Sequence, residues 1–581
     1  MRRRNTIIYG IVIISFLVVL LRLFDLIVIE HDRFSKRAED QSTTLEEVQV
    51  RRGLIFDRTG RRLAVNLEQN SVYCYKRLLK ASDEQLTEMA QLLGIDYDNL
   101  KFKLENSRNF FWLKRKVPVE ITEKLNTLSI GGIGVSPEAK RDYTMGTLAS
   151  HVIGFVDIDN KGIDGIEKLY NGDLIDKGGT FSVEKDARGN KFYTENMRER
   201  KGKNMVLTID VGLQYIVERE LELALEKWKA ESATVVMLNP YNGEILAIAN
   251  RPTYDPNEAG KYNPSNRRNR AITDLYEPGS TFKIVATSGT LEEKLVKPTD
   301  MIDCSAGAID VGGKRIKDAH RHGVLSFMQV IQKSSNVGTI KLAQRLGKDT
   351  LYKYIKLFGF GKKTGIDLPG ELPGTAKHPK YWSGVSIGAM AIGQEVGVTP
   401  LQVVTAYSVI ANGGYAIQPH VVRGFTYDDT TSTLDVKEDE KKRLVSKNTV
   451  ATMRAALMMV TQQGGTATYA EVEGNHVAGK TGTAQIFDRQ LRHYSSTDYV
   501  SSFVGFVPAE KPVLSMIVVV WKPRGAIYGG VVAAPIFKNI AEKALSYLNI
   551  PREDMEDSNK LYVDNAKTLI DVSYNYNKLN N

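Results

Sequence analysis

One long apolar segment near the N-terminus constrains the fold more than any other feature. Residues 7–21 are apolar, Arg22 and Asp25 follow, and a second apolar stretch ends at residue 29. The first run alone would form a helix of roughly 22 Å, shorter than the ~30 Å hydrocarbon core of a bilayer. Extended to residue 29, it is long enough to cross. The sequence predicts one transmembrane helix at residues 7–29, with Arg22 and Asp25 one turn apart near its outer end, where they can pair.

The charges beside this segment predict its orientation. Arg2, Arg3 and Arg4 precede it, and no comparable basic cluster follows it. The positive-inside rule therefore places residues 1–6 in the cytoplasm and everything from His31 onward outside. A cleavable signal peptide is the alternative, since it also combines a charged start with an apolar core. Such a peptide ends in small residues, whereas this segment continues Arg-Leu-Phe-Asp, which favours an uncleaved, single-pass anchor.

Length and composition bound the rest of the chain. With 581 residues, 42% of them hydrophobic and 25% charged, it resembles ordinary globular proteins of two or three domains. The net charge of +10 would favour binding to nucleic acid, to an anionic membrane or to an anionic substrate. Binding to nucleic acid is not supported, because the sequence has no Lys/Arg block with interleaved aromatic residues. Two distant cysteines, Cys74 and Cys304, and scattered histidines predict no disulfide framework, no metal site and no cofactor.

The exported part changes character near residue 205. Residues 30–205 mix short β-like runs with Gly-rich turns and charged helical patches such as 83–93. No nucleophile, base and acid cluster there, so this part is predicted to be a structural or docking module. Residues 551–581 are polar and predicted to form a loose tail.

The segment between these parts, residues 206–550, is predicted to form one further domain. It begins with a strand and an N-cap at Asp210, followed by an amphipathic helix and a hairpin turned at residues 239–243. A mostly helical middle leads to strands at 499–507 and 513–521 and a helix at 534–548. This order predicts an antiparallel sheet with helices on its faces.

A serine and a lysine lie one helical turn apart in the segment Glu-Pro-Gly-Ser280-Thr-Phe-Lys283. Pro278 and Gly279 interrupt what precedes, so a helix is predicted to begin here. Ser280 would lie near free N–H groups and the positive end of the helix dipole, which stabilise a developing oxyanion. Lys283 lies on the same face, and its amine can take the hydroxyl proton when burial lowers its pKa. Ser-x-x-Lys alone is weak evidence.

Two further segments carry groups that suit the same chemistry. Ser334 and Asn336 supply a hydroxyl and an amide, which can relay a proton and orient a peptide. Lys480-Thr-Gly-Thr483 supplies a cation, two hydroxyls and a glycine on a predicted edge strand. Gly482 would let a substrate backbone approach closely, and Lys480 suits a terminal carboxylate. Each segment alone is usually an ordinary loop or strand, but their order after the serine, at spacings of 54 and 200 residues, is hard to obtain by chance.

These three segments match the motifs of penicillin-recognising serine enzymes. Other segments resemble the membrane-proximal, pedestal and transpeptidase motifs of class B penicillin-binding proteins: residues 52–60, 151–155, 162–174, 239–247, 393–394 and 529–535. The similarity spans residues 5–548. Within class B, the chain is most similar to the division-specific, FtsI-like branch, because its length is compact and its sequence shows neither a second enzyme domain nor C-terminal accessory repeats.

The resemblance implies a fold and a domain order. The implied fold class is α+β, the penicillin-recognising serine transpeptidase fold, with an antiparallel sheet flanked by helices plus a helical subdomain. An elongated mixed α/β pedestal of the dimerisation type, at residues 30–205, and one transmembrane helix precede it.

The resemblance also implies a reaction, peptidoglycan D,D-transpeptidation, in which Ser280 attacks the penultimate carbonyl of a D-Ala-D-Ala stem peptide. Backbone N–H groups of Ser280 and Thr483 would form the oxyanion hole. The implied catalytic residues are Ser280, Lys283, Ser334 and Asn336, and the implied substrate-binding residues are Lys480, Thr481, Gly482 and Thr483.

Inhibitors and partners follow from the same resemblance. β-Lactams are expected to acylate Ser280 and to remain attached, because no Glu-x-x-Leu-Asn pattern is present to position a hydrolytic water. A SEDS-family glycosyltransferase and other divisome proteins are the expected partners. The alternatives are an elongation-type transpeptidase, a D,D-carboxypeptidase that passes the acyl group to water, and a β-lactam sensor or inactive scaffold.

Overall fold

The computed structural model describes residues 2–47, 52–175, 180–185, 191–192, 202–426, 442–488 and 493–552. The chain forms two compact units, each assembled from separate segments. The first contains Met1–Gly53, Glu68–Ala139 and Gly172–Lys203, and the second contains Leu54–Leu67, Lys140–Asn171 and Asn204–Asn581. The tail predicted at residues 551–581 lies outside the described residues from position 553 onward.

Eighteen α-helices are described in this part of the chain. In chain order they are α1 (Arg2–Phe24), α2 (His31–Ser42), α3 (Asp83–Leu93), α4 (Tyr97–Asn106), α5 (Val119–Thr127), α6 (Ser150–Ile153), α7 (Gly165–Leu169), α8 (Asn171–Leu174), α9 (Val211–Trp228), α10 (Arg270–Thr273), α11 (Lys283–Glu292), α12 (Phe327–Gln332), α13 (Asn336–Leu346), α14 (Lys348–Leu357), α15 (Ser386–Ala391), α16 (Pro400–Ala411), α17 (Lys447–Thr461) and α18 (Gly529–Tyr547).

Twenty strands are described in the same ranges. They are β1 (Thr43–Glu47), β2 (Ile55–Phe56), β3 (Arg62–Tyr75), β4 (Phe110–Val117), β5 (Ile133–Tyr143), β6 (Thr180–Lys185), β7 (Lys191–Phe192), β8 (Asn204–Leu207), β9 (Ser232–Leu238), β10 (Ile245–Arg251), β11 (Met301–Asp303), β12 (Ala308–Val311), β13 (Lys314–Lys317), β14 (Val324–Ser326), β15 (Thr375–Ala376), β16 (Val396–Gly397), β17 (Val422–Thr426), β18 (Ala478–Asp488), β19 (His493–Val507) and β20 (Leu514–Trp521).

The N-terminal helix is long and apolar enough to cross a membrane. Helix α1 continues into a π-helical turn at Asp25–Ile29, and the apolar span covers 24 residues, Thr6–Ile29. Arg22 and Asp25 form the predicted ion pair. These features agree with a single-pass membrane anchor.

In the first unit, helices α3, α4 and α5 share a core with one face of the β3–β4 pair. Val72 and Cys74 of β3 and Leu113 of β4 point into this core, because alternate residues of a strand face the same side. Helix α3 begins at a capping box in which Ser82 Oγ accepts a hydrogen bond from the backbone N–H of Gln85. The helix predicted at residues 83–93 is confirmed.

The second unit is built on a five-stranded antiparallel sheet in the order β10-β9-β20-β19-β18. Every residue of β9 and β20 is buried, so both faces of the sheet are covered. Helices α9, α16 and α18 pack against its strands. The predicted helix after Asp210 and the hairpin at residues 239–243 are both present, with Asp210 Oδ1 capping α9 and Gly243 N donating to Asn239 O. The sheet and its helices confirm the predicted α+β fold.

Two elements are longer than the sequence predicted. Helix α18 begins at Gly529, five residues before the predicted start at 534, although Pro535 lies inside it. Glycines and a proline usually mark a helix boundary, but packing of the first turn against the sheet outweighs that propensity here. Strand β19 begins at His493 rather than 499, because its N-terminal part pairs with β18 in a long hairpin.

Candidate active site

Ser280 and Lys283 lie at the start of one helix, as predicted. A 3-10 turn at Gly279–Phe282 leads directly into α11, whose first residue is Lys283. Phe282 and Val285 are buried beside them, which fixes the helix in the core of the second unit. The Ser280 side chain is half-buried, whereas Lys283 is only 3% exposed. The helix end therefore presents the hydroxyl at the surface and the amine beneath it.

The second motif, residues 334–336, holds the amine of Lys283. Its Nζ donates to the carbonyl oxygen of Ser334 at 2.6 Å and to Oδ1 of Asn336 at 2.7 Å, and lies 3.3 Å from Oγ of Ser334. These hydrogen bonds go to the second motif rather than to Ser280, which is one turn away on the same helix. Three of the four predicted catalytic side chains are thus joined directly.

Burial changes the acid–base behaviour of this amine. Removal from water lowers the pKa of Lys283 to about 7, against the opposing influence of the Asp318 carboxylate. The lysine is therefore partly neutral at neutral pH, the form that can accept a proton from a serine hydroxyl.

Asp318 organises the second motif and was missed in the sequence. Its carboxylate accepts hydrogen bonds from Ser335 Oγ at 2.9 Å, from the backbone N–H of Val337 at 3.0 Å and from that of Asn336. Ser335 in turn caps α13 by accepting from the N–H of Gly338. Asp318 follows strand β13 in an unremarkable polar stretch, so no sequence pattern marked it.

Backbone geometry also fixes the second motif. Ser334 adopts a left-handed conformation with φ of 57°, which is uncommon for a residue other than glycine. Asn336 Nδ2 donates to the carbonyl oxygen of Lys317 at 2.8 Å, which leaves Oδ1 directed at Lys283. The amide is therefore held at both ends.

The third motif, residues 480–483, lies on β18, the edge strand of the five-stranded sheet, as predicted. Lys480 is 1% exposed, and its Nζ lies 3.3 Å from Oγ1 of Thr481. Burial first, and then the charge of Lys283, hold the pKa of Lys480 well below its usual range. The charge of Lys283 therefore disfavours a charge on Lys480.

Gly482 is also required for packing inside the second unit. A Cβ at this position would lie 2.4 Å from Oγ of Ser502 and 2.9 Å from the carbonyl oxygen of Pro278. The missing side chain lets β18 pack against the segment that carries Ser280. Room for a substrate backbone at Gly482 stays a prediction.

Thr483 faces both the Ser280 segment and helix α18. Its carbonyl oxygen lies 3.3 Å from the Cβ position of Gly279, and its Oγ1 accepts a hydrogen bond from the N–H of Gly529 at 3.0 Å. Because the N–H and C=O of one strand residue point to the same side, the Thr483 N–H is also directed toward the free edge beside Ser280. That direction fits the predicted oxyanion donor.

A carboxylate and a phenol form a further contact beside Ser280 that the sequence did not indicate. Tyr494 OH donates to Glu277, 3.0 Å from Oε2, and the N–H of Glu395 donates to Oε1 of Glu277 at 2.9 Å. Burial raises the pKa of Glu277. This contact fastens the β18–β19 hairpin to the segment that leads into the serine.

No metal-binding arrangement accompanies these groups in the described ranges: no three His, Cys, Asp or Glu side chains there are placed to hold an ion. What the geometry provides is a serine hydroxyl, a buried amine of lowered pKa, a second hydroxyl and amide, and an edge strand with a second amine. Such an arrangement is typical of serine acyltransferases that use a lysine as their base.

Comparison with known families agrees with this class. The model of the penicillin-binding protein transpeptidase domain matches residues 233–542, and that of the penicillin-binding protein dimerisation domain matches residues 47–207. The chain therefore belongs to the penicillin-binding protein family, and its domain pair and FtsI-type relatives make it a class B member.

Several relatives match over nearly the whole chain. Stage V sporulation protein D of Bacillus subtilis is 34% identical, with 96% of this chain and 88% of that protein covered. Peptidoglycan D,D-transpeptidase FtsI of Escherichia coli is 30% identical, with 96% and 94% covered. The crystal structure of penicillin-binding protein 3 from Mycobacterium tuberculosis with aztreonam superposes with a TM-score of 0.68 at 29% identity and covers 87% of this chain and 97% of that one.

Proposed function

We propose that Ser280 is the nucleophile through which this chain performs its D,D-transpeptidase reaction on peptidoglycan. The observation that carries the proposal is the buried amine of Lys283, one helical turn from Ser280 and held by Ser334 and Asn336. A structural lysine needs neither burial nor two neutral acceptors, whereas a general base benefits from both because they keep the amine in place and partly uncharged.

The third motif binds the donor stem peptide. The terminal carboxylate of D-Ala-D-Ala lies near Lys480, Thr481 and Thr483, and Gly482 lies in the same stretch of edge strand. Burial disfavours the charge on Lys480 before the donor binds, and the donor carboxylate, an opposite charge, restores it. Because like charges repel, a charged Lys480 favours the neutral form of Lys283, which is ready to accept a proton.

Acylation then follows from the positions of these groups. Lys283 Nζ takes the proton of the Ser280 hydroxyl as Oγ attacks the penultimate carbonyl, and the N–H groups of Ser280 and Thr483 stabilise the oxyanion. Ser334 passes a proton to the departing D-alanine amine, and the C–N bond breaks. Asn336 holds Lys283 and the donor backbone. Removal of one oxyanion donor typically slows such reactions by about 10²–10³.

Deacylation forms the cross-link. The amine of an acceptor stem peptide attacks the ester carbonyl, loses its proton to the Lys283–Ser334 pair, and displaces Ser280 with its hydroxyl restored. A β-lactam presents the same carbonyl and carboxylate, so it acylates Ser280 as well and blocks the nucleophile. The D,D-carboxypeptidase alternative differs only in the use of water as acceptor.

We infer that this activity serves septal wall synthesis during division. The FtsI relative supports that role. The 34% identical relative named for sporulation supports a second candidate, the same reaction in spore formation. A SEDS-family glycosyltransferase and other divisome proteins are the proposed partners.

The three arginines before the apolar span support an N-terminus in the cytoplasm and catalysis on the opposite side of the membrane. The proposed domain order is a cytoplasmic tail at 1–6, an anchor at 7–29, a pedestal at 30–205 and a transpeptidase domain at 206–550.

The test is turnover of a D-Ala-D-Ala pentapeptide by the purified full-length protein with and without an amine acceptor. We expect release of D-alanine and a cross-linked product from the wild type, neither from Ser280→Ala, and a large loss from Lys283→Met. Hydrolysis alone, with acceptor present at high concentration, would favour the carboxypeptidase. Turnover by Ser280→Ala equal to wild type would refute the assignment.

A further inference from the structure

A short loop touches both the second and the third motif. We call residues 462–466, which follow α17, the bridging loop. At one side Lys333, the residue before Ser334, donates from Nζ to the carbonyl oxygen of Gly464 at 2.7 Å. At the other side Oγ1 of Thr466 lies 3.1 Å from Oγ1 of Thr481. The loop therefore connects the two sides of the site.

The backbone of the bridging loop is fixed. The N–H of Gly465 donates to the carbonyl oxygen of Gln462 at 2.9 Å, and the N–H of Ala467 donates back to that of Val460 at 2.9 Å. Val460 is buried in the core, so the loop is anchored to helix α17. A hydroxyl carried by this loop therefore has a defined position, although the side chain of Thr466 itself is exposed.

The direction of the Thr481 proton depends on its neighbours. A threonine hydroxyl has one proton and two acceptor sites. One acceptor site of Thr481 Oγ1 faces Lys480 Nζ, at 3.3 Å, and the other is within reach of Thr466 Oγ1. When Lys480 Nζ and Thr466 Oγ1 both donate to Thr481 Oγ1, the hydroxyl proton of Thr481 points to neither of them. It can then be donated to a ligand. Thr481 is only 8% exposed, so few other partners compete for it.

The neighbouring hydroxyl shows the same arrangement. Thr483 Oγ1 accepts from the N–H of Gly529, so its proton is also available to a ligand. Two threonine hydroxyls two residues apart on the edge strand thus each have a hydrogen-bond partner from another element. For Thr483 it is the N–H of Gly529 in α18, and for Thr481 it is the hydroxyl of Thr466, where either oxygen can be the donor.

We propose that Thr466 is a positioning residue that donates to Thr481 and thereby directs the Thr481 proton to the carboxylate of the donor peptide or of a β-lactam. This inference rests on the proposed function, because it assumes that the carboxylate lies at Thr481. Thr466 does not touch the reacting carbonyl, so its effect is on recognition of the carboxylate and not on the nucleophile.

The test compares acylation of the full-length protein by benzylpenicillin and by benzylpenicillin methyl ester, which lacks the charged carboxylate. In the wild type we expect the acid to react faster than the ester. Thr466→Val keeps the shape of the side chain but removes its proton, and we expect the acid-to-ester rate ratio to fall about tenfold, as for one misdirected hydrogen bond to a charged group. Thr466→Ser should keep the wild-type ratio, and Thr466→Ala should lose it as Thr466→Val does.

The matched control is Thr468→Val, since Thr468 is an exposed threonine two residues further along. It should leave the ratio unchanged. Equal slowing of acid and ester by Thr466→Val, or an unchanged ratio, would overturn the inference. Labelling at Ser280 persists in every one of these outcomes, whereas failure of the proposed function would appear as absent labelling in the wild type.

Discussion

Lys283 Nζ lies 2.7 Å from Oδ1 of Asn336. The acceptor is a neutral amide, so it holds the amine in place without supplying a negative charge. The pKa of Lys283 can therefore remain at about 7 despite a close hydrogen bond. The identity of residue 336 thus controls both the position and the protonation of Lys283, the proposed base.

Replacement of Asn336 by aspartate keeps the shape but adds a charge. A carboxylate at this distance favours the protonated amine, so the pKa of Lys283 should rise. The pH at which benzylpenicillin acylation is half-maximal should move upward from near 7 by about one pH unit or more. The measurement is the acylation rate of Asn336→Asp and wild type between about pH 5.5 and 9.5. An unchanged or lower midpoint would contradict the role of Lys283 as base.

Asp318→Asn should move the same midpoint in the opposite direction. The Asp318 carboxylate raises the pKa of Lys283, so its removal lowers that pKa and extends the neutral amine to more acidic solution. Acylation should therefore persist to lower pH than in the wild type, although weaker capping of α13 can reduce the maximal rate. A midpoint that moves upward, or stays fixed while acylation continues, would count against this coupling.

The sequence indicated the proposed catalytic groups but not the residues that support them. Short local patterns contain Ser280, Lys283 and Asn336, and their chemistry can be inferred from residue type and spacing. Asp318 acts on Asn336 from 18 positions away, through backbone N–H groups that no pattern displays. Tyr494 reaches Glu277 across 217 positions, a contact that exists only after the sheet has formed.

Helix boundaries show the same limit. The predicted start of the last helix, at residue 534, followed from local propensity, since Pro535 and the preceding glycines discourage a helix. The observed start at Gly529 depends on contact with β18 and β19, because a Cβ at Gly529 would lie 2.3 Å from the carbonyl oxygen of Ser502 and 2.4 Å from that of Gly482. Tertiary packing cannot be read from a local window.

Gly529→Ala tests that packing. The added methyl group must displace two backbone carbonyls or move α18, and the N–H of Gly529 would lose its hydrogen bond to Thr483. We expect a loss of about 1–3 kcal/mol in the free energy of unfolding and slower acylation by benzylpenicillin. The control is Gly260→Ala, where a Cβ meets nothing within 4 Å. Equal stability of the two variants would show that α18 does not need the close contact.

The buried ion pair between Arg141 and Glu167 predicts a large effect on stability. Arg141 Nε donates to Glu167 Oε1 at 2.7 Å, and the side chains are 1% and 0% exposed. Arg141→Met removes a charged hydrogen-bond donor from this buried carboxylate, which should cost about 1.5–3 kcal/mol. Denaturant unfolding followed by tryptophan fluorescence measures this.

An exposed pair serves as the control for that prediction. Lys353 and Glu293 are 62% and 36% exposed, so Lys353→Met should cost at most about 1 kcal/mol. If Arg141→Met were no more destabilising than Lys353→Met, the buried pair would have no special role in the second unit.

Direct mapping of the acylated residue tests the central assignment. Full-length protein is incubated with benzylpenicillin, denatured and digested with trypsin, and the peptide of residues 271–283, which contains Ser280 as its one serine, is fragmented in a mass spectrometer. We predict a single penicilloyl adduct on Ser280 in the wild type and none on this peptide in Ser280→Ala. An adduct on another residue, or an equal adduct in Ser280→Ala, would contradict the account.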